Sequence, residues 1–241
     1  MKSKTKKSQI RESISQLKQM DYSSDPKVFV DSIEHQILNF KIKFPLLEFF
    51  AEEIIASIPS RDHLRFVDII VAKNYIGSYV IAGKVLQLRL SKDMKSTFEK
   101  AIQYFTQGDE WYCCDIISER VFGEALLLDF DRALSLLKQL TKHPNPWVRR
   151  GIGVAIHYAT KRKVGRVKAQ LLLDLTLTQV QEKHIEIKKG FGWGLKTLSK
   201  FHPDIVKECR AQIEAHGVSK YYKTKMEMGF RMAESMNKGS G

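Results

Sequence analysis

The chain has 241 residues, 43% of them hydrophobic, and a formal net charge of +13, enough apolar content to pack a core in one large domain or a continuous array of repeats. No stretch approaches the roughly 20 apolar residues that cross a bilayer, and Lys2, Lys4, Lys6 and Lys7 have no apolar run behind them, so neither a membrane anchor nor a secretory leader is expected. Cys113, Cys114 and Cys209, two of them adjacent, make a poor disulfide framework and a poor zinc site, and a reduced, cytoplasmic protein without a structural metal is expected.

In chain order, Ile10, Ile14, Leu17 and Met20 mark a first helical stripe, and Val28, Phe29, Ile33, Ile37 and Leu38 a second. Helical spacing continues over 45–58, which Pro59 and Ser60 stop, then over 63–70, 79–90, 97–105 and 113–127. Segments 133–140, 148–158, 164–173, 187–198, 205–213 and 221–236 complete the run. The breaks are short: Asp109 and Glu110, His143 to Pro146, His202 and Pro203. Pro144 and Pro146 predict the end of one helix and the opening of the next, with proline at or just before the first turn. No segment shows the alternation that a sheet demands. Short loops between helices predict antiparallel neighbours. The domain expected is a single helical one over 9–236, with a basic arm at 1–8 and a flexible tail at 237–241.

Two stretches carry similar text 39 residues apart: Arg149, Arg150, Gly151, Ile152, Gly153, and Lys188, Lys189, Gly190, Phe191, Gly192. Comparable units start near Tyr75, Trp111, Trp147 and Glu186. A period of this length in a helical chain predicts an all-α, HEAT-like solenoid of antiparallel helix pairs with a basic concave face, because each hairpin buries its apolar side only against its neighbours. An irregular helical bundle is the alternative. Gly151, Gly153, Gly190, Gly192 and Gly194 fall within helical stretches, where each costs about 1 kcal/mol relative to Ala; close helix–helix approach is the reading preferred for most of them. Between Pro146 and Lys200 twelve Lys or Arg face three acids. Such concentration favours a polyanion, nucleic acid first and an anionic membrane surface second, over a merely solvated face.

Trp111 and Asp115 are four apart and share a helix face. Asp115 lies among Ile116, Ile117 and Val121, more apolar company than a surface aspartate chooses; alone, it reads as a charge satisfying free N–H groups near a helix start. Trp147 and Arg150, and Trp193 and Lys196, are three apart, so each pair can present an indole and a cation to one side. If these converge, aromatic faces suit a cationic heterocycle, the bases hold phosphates, and the carboxylate stabilises charge on a sugar and orients a water against it.

Three segments also carry a resemblance: Trp111 to Asp115; Asn145 to Arg150 with the helix reaching Tyr158; and Ile187 to Ser199 followed by His202, Pro203 and Asp204. They resemble the HEAT-like alkylpurine DNA glycosylases, the bacterial type D branch of the DNA alkylation repair enzymes. The resemblance implies excision of positively charged N3- or N7-alkylated purines from duplex DNA by a monomer that needs no metal or organic cofactor and does not bury the damaged base in a deep pocket. It implies that Asp115 is the catalytic acid residue, that Trp111 and Trp193 approach the sugar, and that Arg150 contacts the DNA backbone. Lys196 stands where the family commonly has Arg, keeping the charge without the planar fork. Further DNA contacts are expected from Arg149, Lys161, Arg162, Lys163, Lys188 and Lys189. The alternative is a non-catalytic relative that binds damaged or branched DNA by shape.

Overall fold

The computed structural model describes residues 2–238, with side chains placed through 236. Among the described residues the chain is all-α, without a sheet; an isolated bridge joins Ser3 and Lys41. No helix there is long and apolar enough to cross a membrane. The helices form two compact units, divided between Tyr104 and Phe105.

The first unit holds α1 (Lys7–Leu17), α2 (Pro26–Ile33), α3 (Phe44–Ile55), α4 (His63–Ala72), α5 (Ile76–Arg89) and most of α6 (Met94–Gly108). Asp25 opens α2 by accepting the backbone N–H groups of Lys27 and Val28, with Pro26 in the first turn, where the ring's missing donor is not needed. A π-helical turn, Glu34–Leu38, extends α2. Tyr22 packs edge-on against Phe29 and Phe66 in the buried core. Lys100 and Tyr104 of α6 both donate to Asp68 of α4, at 2.8 and 2.7 Å. The basic arm expected at 1–8 runs into α1 at Lys7, and the Lys4 N–H donates to the Lys41 carbonyl.

The second unit holds α7 (Trp111–Ser118), α8 (Glu124–Leu128), α9 (Phe130–Leu140), α10 (Pro146–Lys161), α11 (Arg166–Leu177), α12 (Ile185–Phe201), α13 (Pro203–Glu208), α14 (Arg210–Ile213) and α15 (Lys220–Lys238). A π-helical turn, Glu119–Gly123, joins α7 to α8 without a break. Asn145 caps α10 by accepting from Trp147 N–H at 2.9 Å, with Pro146 at its first turn, as the prolines predict. The stretch 205–213 is interrupted at Cys209, where ψ is 9°, so it forms two short helices rather than one. Of the expected tail at 237–241, residues 239–241 lie outside the described residues, and 237 and 238 continue α15.

Helices α7 with α8, α10, α12 and α15 lie side by side and parallel. Asp115 pairs with Arg150 and Glu124 with Tyr158; Arg150 pairs with Glu186 and His157 with Thr197; both partners advance together along the chain. Helices α9, α11 and α13 pack back against this layer. The expected unit starts at Tyr75, Trp111, Trp147 and Glu186 fall within a residue of the first residues of α5, α7, α10 and α12. Close approach of α10 and α12 explains Gly153, Gly190 and Gly194, while Gly151 faces Ser118 of α7 and Gly192 faces Tyr221 of α15. A methyl at Gly153 would lie 2.1 Å from the Gly190 carbonyl carbon, and one at Gly190 would lie 2.4 Å from the Arg150 carbonyl oxygen. Only hydrogen fits at either place.

Candidate functional site

Trp111, Asp115 and Glu119 occupy one row along α7 and its π-turn, at intervals of four. Trp111 is 56% exposed, its ring edge-on to Tyr112 at 5.8 Å. Asp115 is the fifth residue of α7, past the free N–H groups of the helix start. Its partner is instead Arg150, from the adjacent α10: Arg150 Nε donates to Oδ1 and Nη2 to Oδ2, both at 2.7 Å. This is the two-pronged geometry that makes guanidinium–carboxylate pairs strong and fixes the plane of the carboxylate. The remaining nitrogen, Nη1, donates to Glu186 Oε2 at 2.6 Å. The Arg150 side chain is only 9% exposed, and Asp115 and Glu186 are 13% and 15%. Burial works against the Arg150 charge, but Asp115 and then Glu186 outweigh it and hold the guanidinium above its ordinary pKa.

The row is braced on one side by Trp147, whose indole Nε1 donates to Asp109 Oδ1 at 2.5 Å and whose ring lies 5.8 Å from the Arg150 guanidinium. Asp109 has φ of 44°, in the left-handed region, so the turn entering α7 is held in a backbone conformation that residues other than Gly, Asn and Asp seldom adopt.

Seven residues further along α10 and α12 lie His157 and Trp193, two helical turns or about 10 Å from Arg150 and Glu186. The half-buried Trp193 indole stacks on the His157 ring at 4.0 Å and 23°. His157 Nδ1 is 2.6 Å from Thr197 Oγ1. Burial, then the charges of Lys161, Lys196 and Arg162, push the imidazole pKa down to about 4, so it is neutral near pH 7. Beyond it a cavity of about 230 Å³ is lined by Lys161, Lys196, Thr197 and Lys200. Burial and the nearby Lys225 and Lys200 lower the pKa of Lys196.

The structure therefore brings Asp115 and Arg150 into direct contact, with Trp111 one turn before Asp115 on α7, but it sets Trp193 two turns past Glu186 on α12, stacked on His157 and apart from Asp115. Lys161, Arg162 and Lys163 end α10 exposed, with the Arg162 guanidinium 3.4 Å from the centre of the Tyr158 ring. Lys189 is exposed and reaches Glu186 Oε1 at 2.7 Å, while Lys188 is half-buried. Arg149 points elsewhere: it donates to Gln179 at 2.7 Å and to Glu182, beyond the end of α11. Sequence reasoning missed Glu186, His157 and Lys200. No signal in the sequence marks the first two: the 39-residue repeat makes Arg150 equivalent to Lys189 and His157 to Lys196.

The sequence profile described as DNA alkylation repair enzyme matches residues 15–220. The chain belongs to that family. A crystal structure of AlkD2 from Streptococcus mutans has the same HEAT-like fold, with a TM-score of 0.70 at 17% sequence identity, over 84% of this chain and 96% of that one. No curated protein matches the chain.

Proposed function

We propose that the chain is a monofunctional DNA glycosylase that hydrolyses the N-glycosidic bond of positively charged N3- or N7-alkylated purines in duplex DNA, acting as a cytoplasmic monomer. The observation that carries this reading is the Asp115 carboxylate, fixed in orientation by Arg150 on the same face as Trp111. In glycosidic hydrolysis the sugar passes through an oxocarbenium-like state. Asp115 keeps two lone-pair directions free of Arg150, enough to face the positive sugar and to orient one water. The water oxygen bonds to C1′ as the C1′–N bond breaks, the bond's electron pair neutralises the departing cationic base, and the proton from water leaves through the carboxylate to solvent. No acid has to protonate such a base, and no metal or organic cofactor enters the scheme.

Trp111 stands beside the sugar in this reading, while Trp193, two turns past Glu186 on the parallel α12 and stacked on His157, lies too far along the layer to share that sugar; Lys161, Arg162, Lys163, Lys188, Lys189 and Lys196 lie along the phosphates, with Arg149 contributing at longer range. Arg150 directs three N–H groups at carboxylates and reaches a phosphate only with the two Nη hydrogens that remain. The test is release of 7-methylguanine from an alkylated duplex. Wild type releases the free base; Asp115→Asn slows release by at least about 100-fold, the loss typical of removing a transition-state electrostatic contact, with duplex affinity nearly intact. Equal release by both proteins overturns the assignment. Absent release by wild type, with junctions bound in preference to duplex, favours the non-catalytic alternative.

A further inference from the structure

Glu186 has no part in the reaction described above, yet it completes the cluster around Arg150. Both Asp115 oxygens and one Glu186 oxygen receive hydrogen bonds from the three guanidinium nitrogens, at 2.6 to 2.7 Å. A carboxylate paired with one arginine is a neutral unit whose field falls off steeply a few ångströms away. Two carboxylates on one arginine carry a net charge of −1. Lys189 touches the other Glu186 oxygen, but its side chain is 48% exposed, so water and salt screen its charge far more than that of the buried guanidinium.

We propose that Glu186 is a positioning residue that compensates the charge of Arg150, so that Arg150 orients Asp115 without cancelling its field. The cluster is then a seat for a cation. Identifying that cation as the deoxyribose ring at the moment of bond cleavage rests on the glycosylase reading; the net negative charge of the seat does not. A role confined to fastening α12 to α10 would make Glu186 matter equally for charged and uncharged ligands. The charge-compensation role makes it matter for the charged one alone.

The experiment uses the full chain and two duplexes that differ at one abasic analogue, a neutral tetrahydrofuran or a cationic pyrrolidine, with affinity read by fluorescence anisotropy. Wild type binds the cationic duplex more tightly. Glu186→Gln weakens binding to the cationic duplex on the order of tenfold, as expected for losing one charge partly shielded by protein, and changes the neutral duplex by less than about twofold. Glu186→Asp regains part of the preference. The double variant Arg150→Gln with Glu186→Gln removes one charge of each sign, restores a net −1, and regains the preference; it also serves where the single variant does not fold. An unchanged preference in Glu186→Gln, equal loss on both duplexes, or no preference in wild type overturns the proposal. Base release is measured beside it: preference dependent on Glu186 without release removes the glycosylase reading alone, and release without that dependence removes the Glu186 assignment alone.

Discussion

Asp115 and His157 show how burial and neighbours set what a side chain can do. Asp115→Asn leaves Arg150 facing one carboxylate in place of two, and breaking a buried pair by removing one partner's charge costs about 3 kcal/mol, so a lower Tm accompanies the loss of base release and has to be measured with it. His157 has its pKa near 4 in the folded chain against about 6.5 unfolded. Below pH 6.5 the unfolded chain therefore takes up a proton that the folded chain refuses, and stability is lost as pH falls from 6.5 towards 4. Between pH 7.5 and 5 this amounts to about 2 kcal/mol. His63 and His202 have their pKa values lowered mainly by burial and act in the same direction, so the comparison that isolates His157 is His157→Phe, which keeps a ring against Trp193. In urea unfolding at the two pH values, that variant loses less stability than wild type; an equal loss would show that the imidazole does not titrate as described.

At the scale of elements, α10 and α12 are held together by a contact that tolerates no side chain. Gly190→Ala places a methyl against backbone of α10, where no rotamer change relieves it, so the helices have to separate. Destabilisation of about 3 kcal/mol is expected, read as a lower Tm. Because Arg150 and Glu186 sit on these two helices, the same change loosens the ionic cluster, and base release falls with stability. Gly165→Ala serves as the control, since nothing lies within 4 Å of the added carbon. The π-helical turn after α7 was not legible in the sequence: 113–127 reads as one regular helix, and the turn at Glu119–Gly123 lies against α10, with Gly123 facing Tyr158, a contact that periodicity does not encode.

For the whole molecule, the charge of +13 predicts duplex binding that weakens linearly in log affinity against log salt. Lys161 and Lys196 line one cavity, and replacing each with Gln should reduce the magnitude of that slope by about 1 per phosphate contact removed; an unchanged slope would place both lysines off the path of the DNA. The helical class, the period of the repeat, the starts of α5, α7, α10 and α12, and the glycine contacts were all readable from spacing, because helix periodicity and proline or glycine punctuation are local properties of the chain. Trp111, Asp115, Arg150 and Trp193 were marked only as candidates by residue type and interval. What those residues touch was not readable. That Arg150 is buried between two carboxylates, that Arg149 beside it turns to Glu182, and that Trp193 is stacked on a neutral His157 depend on which helices lie adjacent and in what register. Adjacent residues on a helix point about 100° apart, so a run of cations in the text distributes itself over several faces. Only the packing of one helix on the next decides which of those faces meets water and which meets an acid.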